Sequence, residues 1–257
     1  MNVDTPWLSV VTVVKNDLAG LRQSLDSLRD QDLTKVELVV IDGSVEHSEV
    51  ASLVHEFPVS SCLEWSEPEG VYQAMNRGLA LAQGEYIYFL NAGDTLYDPR
   101  VVTDLHHLIS ESKPGWLVGL VQITEISGHK VTSASWDYEA ESRAFFSRGV
   151  FPPHQGTVVK TELLLSIGGF NTDYTIAADY AAALSLSLAA KPLMVDRVVA
   201  CFTEGGLSTK MWKQSFHEFH RARQQILRPR GWGRIVERWN YSRHFASVWL
   251  VRCLRRP

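Results

Sequence analysis

The segment Tyr86–Asp94 constrains the fold of this chain most strongly. Its first part, Tyr86–Leu90, consists of aromatic and branched residues without a turn former, which is typical of a strand buried on both faces of a mainly parallel sheet. The tetrapeptide Asn91–Asp94 follows at once. Because open α/β sheets bind ligands at the carboxyl ends of their strands, this order places a carboxylate at a binding edge. Asn-Ala-Gly-Asp is also ordinary turn chemistry, so the rest of the chain has to decide between the two interpretations.

Strand and helix patterns alternate in the segments before this one, with short polar joints between them. Branched apolar runs predict strands at Leu8–Val14, Val36–Ile41 and Cys62–Trp65, and apolar residues at helical spacing predict helices at Asp17–Gln31, from Gly43 through Phe57, and at Val71–Gln83. This alternation favours an α/β fold with a doubly wound, mostly parallel central sheet of the nucleotide-binding type.

The second half of the chain departs from simple alternation. Two apolar segments between Trp116 and Tyr138 flank Ser127-Gly128-His129 and predict a hairpin, which is a smaller antiparallel element that a Rossmann domain lacks. The remaining predicted elements are helices at Pro99–Ile109, Thr161–Ile167 and Ala177–Ala190 and a last strand at Leu193–Phe202.

The charge of the chain is divided unevenly. Lys210–Pro257 contains 12 of the 25 Lys and Arg residues but only 2 of the 29 Asp and Glu residues. We therefore expect two units, a domain at residues 1–209 and a basic, Trp-rich helical extension at residues 210–257. The extension either lies in a membrane interface or packs on the domain with a solvated basic face, and both interpretations stay open. Nothing resembles a nucleic-acid-binding module, so we expect no nucleic-acid partner.

The amino terminus and the cysteines point to a reducing compartment. The chain has no signal-peptide pattern at its start and no apolar run long enough to span a bilayer, so we expect a cytoplasmic protein. If the basic extension lies in a membrane interface, the protein is peripheral on the inner face of the cell membrane. The three cysteines are scattered without metal-ligand spacing, which predicts ordinary packing thiols and no zinc site.

Three aspartates stand at strand ends or helix starts: Asp42, Asp94 and Asp179. An aspartate at a sheet edge can accept N–H donors from a nucleobase, and another can bind a divalent ion that bridges a diphosphate. The first strand is followed by neither a Walker loop nor Gly-x-Gly-x-x-Gly, which disfavours ATPases and dinucleotide enzymes. Each aspartate alone also fits a structural role in a turn, a helix cap or a first helical turn.

Five motifs in this order resemble the bacterial family 2 glycosyltransferases, and most closely those of colanic acid and exopolysaccharide biosynthesis. The motifs are Ser66–Pro68, Gly70–Gly78, Phe89–Asp94, His154-Gln155 and Ala178–Tyr180, within a resemblance that covers Leu8–Thr209. The resemblance implies the GT-A fold and an inverting transfer of sugar from a nucleotide-diphosphate donor.

The resemblance also implies roles for individual residues. Asp179 matches the general base, and Asp94 matches the last aspartate of the Asp-x-Asp element that binds Mg²⁺ or Mn²⁺, although Asn91 stands where many members have an acid. His154 and Gln155 are expected to contact the acceptor or the diphosphate. The residues expected to bind the nucleotide sugar are Thr12, Val14, Lys15, Asn16, Asp42, Glu69, Tyr72, Asn76, Arg77, Asn91, Ala92 and Gly93.

The function expected from these observations is the transfer of a sugar from a UDP- or GDP-type donor to a lipid-linked saccharide during surface polysaccharide or exopolysaccharide biosynthesis. A sugar nucleotidyltransferase is one alternative, but the glycine- and lysine-rich loop that such enzymes carry after the first strand is missing. A non-catalytic nucleotide-sugar-binding subunit is the other, and Asn91 is the residue that favours it.

Overall fold

One mixed β-sheet with helices on both faces organises the chain. The computed structural model describes residues 5–125, 127–135, 137–203, 205 and 211–254. The strands are β1 (Leu8–Val14), β2 (Val36–Asp42), β3 (Ser61–Trp65), β4 (Tyr86–Phe89), β5 (Thr95–Leu96), β6 (Trp116–Thr124), β7 (Lys130–Thr132), β8 (Thr157–Lys160) and β9 (Leu193–Thr203). The helices are α1 (Leu18–Arg29), α2 (His47–His55), α3 (Val71–Leu81), α4 (Val101–Ser112), α5 (Tyr138–Ser147), α6 (Thr161–Ser166), α7 (Ala178–Ala189), α8 (Trp212–Leu227) and α9 (Trp232–Leu254).

The strand order is β3-β2-β1-β4-β8-β6-β9-β5, and β7 pairs with β6 outside this path. In the first half of the sheet, β1 pairs in parallel with β2 and β4, and β2 pairs in parallel with β3. In the second half, β8 runs antiparallel to β4 and β6, whereas β9 is parallel to β6. The predicted parallel sheet with an antiparallel element is therefore confirmed.

Alternate residues of the central strands pack into two separate hydrophobic cores. Val11 and Val13 of β1 face a core that contains residues of α3, α6 and α7. Val10 and Val14 face the opposite core, which contains residues of α1, α2 and α4. Because both faces of β1 are covered, apolar residues occur on both sides of the strand, and only Ser9 and Thr12 are polar.

The predicted hairpin is present, but its second strand is shorter than expected. It ends at Thr132, and the segment that contains Tyr138 forms α5. Asp137 begins this helix, because its Oδ1 accepts hydrogen bonds from the backbone N–H groups of Glu139 (3.0 Å) and Ala140 (3.2 Å) and thereby caps it. The prediction that the apolar hairpin segment reaches Tyr138 is wrong for this reason.

The basic C-terminal segment is joined to the rest of the molecule through α8. Ala222 of this helix is fully buried in the core that also contains residues of β1 and α7, and Phe219 and Ile226 pack against the same core. Helix α9 folds back onto α8, where the Phe245 ring stacks on Trp212 at a centroid distance of 5.5 Å. The predicted boundary between residues 209 and 210 lies outside the described residues. None of the described helices is both long enough and apolar enough to cross a bilayer.

Candidate active site

A cleft of about 390 Å³ opens at the carboxyl ends of β1, β2, β3 and β4. The strands place it there because parallel neighbours end at the same edge of the sheet, and α3 begins on the same side. The amino terminus of α3 opens on the cleft, so its free N–H groups and helix dipole favour an anionic ligand. The lining residues are Val13, Val14, Lys15, Asp17, Gly43, Ser66, Glu67, Pro68, Glu69, Gly70, Val71, Gln73, Ala74, Arg77, Asn91 and Ala92.

Asp42 and Asn16 tie the loops after β1 and β2 together at one side of this cleft. The buried Asp42 carboxylate accepts a hydrogen bond from the Ser44 backbone N–H (2.8 Å), and its other oxygen lies 3.6 Å from the imidazole of His47. The Asn16 N–H donates to Ser44 Oγ (2.8 Å), and Asn16 Oδ1 accepts from the Val45 N–H (3.0 Å). Asp42 and Asn16 therefore hold the loops that border the cleft, although their own side chains do not line it.

Arg77 brings positive charge to the lining, partly compensated by an acid. Its Nε and NH2 atoms lie 2.7 and 2.6 Å from Oε1 of Glu64 in β3. The side chain of Arg77 remains about half exposed, so this pair is a weak surface contact that an anionic ligand can replace. Lys15 lines the same cleft.

The turn after β4 is built around a serine that the sequence did not single out. Asp94 N–H donates to the Asn91 carbonyl (2.9 Å), and Gly93 adopts a positive φ of 93°. Ser24 Oγ of α1 lies 2.6 Å from the Asp94 carbonyl and accepts from the Gly93 N–H at 3.0 Å. Ser24, on α1, therefore fixes the backbone of this turn although it lies about 70 residues earlier in the chain. This role follows from the packing of α1 on the sheet and from no sequence motif.

Asp94 occupies a partly buried position between this turn and the segment after α5. Burial raises the pKa of its carboxyl group to about 6, even though the charge of His154 and a hydrogen bond from Gln155 both oppose the rise. The carboxylate is thus poorly solvated where it stands, and a nearby cation would stabilise its ionised form.

His154 connects the turn to Asp179. Its Nε2 lies 3.3 Å from the Asn91 side-chain nitrogen, and its Nδ1 lies 3.8 Å from Asp179 Oδ2. The Asn91 amide and the Asp179 carboxylate therefore lie next to different nitrogens of the His154 ring. The structure thus brings His154, Gln155, Asn91, Asp94 and Asp179 together beside the cleft, which Asn91 also lines.

Asp179 stands in the first turn of α7. Its Oδ1 accepts a hydrogen bond from the Tyr180 N–H at 2.7 Å and lies 3.2 Å from the hydroxyl of Tyr72. That hydroxyl is also 2.5 Å from the Ile176 carbonyl. Burial, followed by the charge of Asp179, raises the pKa of Tyr72 well above its ordinary value, so the phenol stays protonated and acts as a donor.

Three residues of the predicted nucleotide-contacting group have side chains that do not line the cleft. The side chain of Thr12 is fully buried in β1. Tyr72 lies under Asp179 and does not line the cleft. Asn76 uses both ends of its amide on the backbone of Phe170, because its Nδ2 donates to the carbonyl (2.7 Å) and its Oδ1 accepts from the N–H (2.8 Å). Burial or saturation of their polar groups leaves these side chains unavailable to a ligand in the cleft.

The residues around Asp94 suit a hard divalent cation. Asn91 Oδ1 is buried and has no hydrogen-bond partner among the described residues, and Asn91 is joined through its backbone carbonyl to the same tight turn as the desolvated Asp94. Within the described residues, no group of three or more His, Cys, Asp or Glu side chains could hold a metal. An ion such as Mg²⁺ or Mn²⁺ would therefore rest on one or two protein oxygens, with phosphate oxygens and water completing its coordination, which is the usual pattern for ions that act on phosphorylated substrates.

Comparison with known proteins places the chain in a family. Residues 9–161 match the model of the family described as Glycosyl transferase family 2. The chain belongs to glycosyltransferase family 2. The match contains the cleft, the Asn91–Asp94 turn and His154-Gln155, whereas Asp179 and the C-terminal helices of this family 2 glycosyltransferase lie beyond it.

Similar proteins extend the likeness past the family match. An uncharacterized glycosyltransferase of Mycobacterium tuberculosis is 32% identical over 212 residues, which cover 79% of this chain and 78% of that protein. A PGL/p-HBAD biosynthesis glycosyltransferase of Mycobacterium bovis is 30% identical over 220 residues, or 82% of each chain.

Two solved structures show the same GT-A fold as this family 2 glycosyltransferase. The TarS 1–349 structure of S. aureus superposes with a TM-score of 0.66 at 19% identity, covering 85% of this chain and 66% of that one. The mannosyltransferase PcManGT of Pyrobaculum calidifontis, in complex with GDP-Man and Mn²⁺, superposes with a TM-score of 0.62 at 19% identity over 99% of this chain and 77% of that one.

Proposed function

We propose that this family 2 glycosyltransferase transfers a sugar from a nucleotide-diphosphate donor with inversion, using Asp179 as the general base. The observation that carries the proposal is the convergence of Asp179, His154 and the Asn91–Asp94 turn beside a cleft at the carboxyl edge of a parallel sheet. A carboxylate and a potential cation site thus stand next to a cleft that suits an anionic ligand. This is the set of groups that a displacement at a sugar diphosphate requires.

The cleft is proposed to hold the nucleotide. The nucleoside would lie over the loops that Asp42 and Asn16 tie together, and the diphosphate would face the amino terminus of α3, with Lys15 and Arg77 nearby. TarS has been solved with UDP and with UDP-GlcNAc, and PcManGT with GDP-Man, which supports a nucleotide sugar as the ligand class. We propose a donor of the UDP or GDP type for this chain.

A divalent ion is proposed to bind at Asp94, with Asn91 Oδ1 as a second protein oxygen. When bound, such an ion neutralises the charge that develops on the departing diphosphate. Gln155 then keeps the Asp94 carboxylate oriented through its hydrogen bond, and His154 separates this carboxylate from that of Asp179.

Asp179 is proposed to remove the proton from the acceptor hydroxyl. The hydroxyl oxygen forms a bond to the anomeric carbon from the face opposite the nucleotide, while the bond from that carbon to the phosphate oxygen breaks. The proton ends on Asp179, and the nucleoside diphosphate leaves with the bonding electron pair. Tyr72 stays protonated and lies 3.2 Å from Asp179 Oδ1, so Oδ2, which is 3.8 Å from His154 Nδ1, is the oxygen proposed to face the acceptor.

Replacing Asp179 with Asn tests the proposed base. A thermal-shift screen of UDP-, GDP- and dTDP-sugars with and without Mn²⁺ first selects a donor, and release of the nucleoside diphosphate to water then measures turnover. We expect Asp179→Asn to abolish turnover but to keep the thermal shift with the donor, because the base lies outside the cleft. Asp173→Asn, at an exposed loop position, is the matched control and should turn over normally. Wild-type turnover by Asp179→Asn would refute this assignment.

The exposed face of α9 supports a lipid-linked saccharide as the acceptor. Trp232 (75% exposed), Ile235 and Trp239 (60% exposed) recur at helical spacing along α9, and the Arg243 guanidinium lies over the Trp239 ring at 4.9 Å. A helix with exposed tryptophans among arginines suits the interface of an anionic membrane. We propose peripheral membrane contact through this face, and a role in surface polysaccharide or exopolysaccharide assembly.

Sedimentation with vesicles tests the membrane contact. Deletion of residues 210–257 is a poor test, because α8 is part of the core. The double variant Trp232→Ser/Trp239→Ser should instead lose binding to phosphatidylglycerol vesicles while keeping its fold. Trp65→Ser removes an exposed tryptophan elsewhere and should bind as the wild type does. Equal sedimentation of the double variant and the wild type would count against the proposal.

A further inference from the structure

The segment that leads into the helix carrying Asp179 is held by a different helix. The residue before α7, Ala177, has no side chain able to cap it. Glu218 of α8, only 7% exposed, supplies the acceptors instead. One carboxylate oxygen accepts from the backbone N–H of Thr175 (3.2 Å), and the other accepts from those of Ile176 (2.8 Å) and Ala177 (3.0 Å).

The Glu218 carboxylate is ionised where it stands. Burial by itself would raise its pKa, but hydrogen bonds from Gln214 Nε2 (2.9 Å) and from the three backbone N–H groups outweigh burial and hold the pKa below the ordinary value. A negative charge at this place also interacts favourably with the dipole of α7. The contact is therefore a strong, charge-assisted one between two helices that are distant in sequence.

A second contact holds the residue that follows Asp179. Arg223 of α8, 3% exposed, places NH1 at 3.1 Å from the Tyr180 hydroxyl and at 3.2 Å from the Phe146 carbonyl. Its Nε forms an ion pair with Glu237 of α9. The chain is therefore held by α8 on both sides of Asp179, at residues 175–177 and at Tyr180.

We propose that Glu218 is a positioning residue for Asp179, which makes α8 part of the catalytic apparatus; this inference rests on the proposed role of Asp179 as the base. The Tyr72 hydroxyl contacts both Asp179 and the Ile176 carbonyl, so a shift of the segment that Glu218 holds also moves the donor that orients the base. A displacement of about 1 Å at a reacting group is enough to lower a rate by about 100-fold.

The test compares Glu218→Ala, Glu218→Gln and Gln214→Ala by kcat and KM for the donor, with nucleoside diphosphate release to water as the readout. We expect Glu218→Ala to lower kcat about 10- to 100-fold with little change in KM, because the cleft is built from other elements. Glu218→Gln keeps one acceptor oxygen and should fall between Glu218→Ala and the wild type. Gln214→Ala removes only a support of Glu218 and should give a smaller loss. Lys213→Ala, exposed on the same helix, should leave kcat unchanged.

Thermal unfolding of each variant separates positioning from loss of the fold. All rates are measured well below the unfolding temperature, and Gln214→Ala serves as the readout if Glu218→Ala does not fold. Unchanged kcat in the folded Glu218 variants, or a change confined to KM, would overturn the inference. Asp179→Asn, measured alongside, distinguishes the two proposals. If Asp179→Asn is active, Asp179 is not the base. If Asp179→Asn is inactive and Glu218→Ala is fully active, only the positioning role of Glu218 is refuted.

Discussion

Replacement of Asp94 by Asn is expected to stabilise the metal-free protein at neutral pH. Burial raises the pKa of the Asp94 carboxyl from 3.8 to about 6 in the folded chain, so folding disfavours the ionised form. This rise corresponds to a penalty of about 3 kcal/mol, at about 1.4 kcal/mol per pKa unit. Asn has nearly the same shape but no charge, so the substitution removes the penalty and about 3 kcal/mol is the upper limit of the gain.

The stability gained by Asp94→Asn depends on pH, because the pKa of Asp94 is higher in the folded chain than in the unfolded chain. Below about pH 4 the carboxyl is protonated in both the folded and the unfolded chain, and the penalty is absent. Above about pH 6 it is ionised in both, and the penalty is complete. The stability of Asp94→Asn relative to the wild type should therefore rise between these two pH values and then stay constant.

Urea unfolding in the presence of a chelator, at a series of pH values, measures this difference. Asp98→Asn is the control with the opposite sign, because a hydrogen bond from Arg197 lowers the pKa of Asp98 in spite of partial burial. That variant should lose stability relative to the wild type as the pH rises. Addition of Mn²⁺ should stabilise the wild type but not Asp94→Asn. A difference for Asp94→Asn that is independent of pH, or a loss of stability at about pH 7.5, would refute the reasoning.

Three further substitutions test the packing around the site. Asn91→Asp adds a second carboxylate beside Asp94, so Mn²⁺ affinity in calorimetric titration should rise about tenfold or more. The metal-free variant should be less stable than the wild type. Unchanged affinity would argue against a metal at this turn. Thr12→Val replaces a buried hydroxyl that has no partner among the described residues, and urea unfolding should show a gain of about 1 kcal/mol. Gly156→Ala would place a Cβ 2.7 Å from the Gly119 carbonyl oxygen, so it should destabilise the fold by about 1–3 kcal/mol. The same clash should displace His154 and lower turnover. Wild-type turnover would contradict this effect on His154.

Much of the fold was predictable because local patterns report burial. The apolar run Leu8–Val14 is buried along its whole length, and so is β4, which is why both were recognisable as central strands. The positions of Asp42 and Asp94 at one edge followed from parallel pairing alone. α5 was missed because its start depends on a single capping residue, Asp137, and not on a periodic pattern.

The roles of several site residues depend on contacts that no local pattern reports. Tyr72 and Asn76 both fit a helix that borders a nucleotide cleft, yet one supports Asp179 and the other binds the backbone of Phe170. Ser24 and Glu218 carry no motif at all. Each of these contacts joins residues separated by at least 40 positions, so the partner is set by the packing of elements and not by spacing in the chain.

The sequence by itself determined the parallel half of the sheet, the family resemblance and the carboxylates at the sheet edge, because periodicity and strand ends are local properties of a chain. The tertiary structure decided which of those side chains line the cleft, which lie beneath it, and that the basic extension reaches back to hold the segment of Asp179. The Gly84–Asp98 region shows both contributions: its strand and turn are legible in the sequence, whereas the raised pKa of Asp94 exists only because folding buries that carboxyl group.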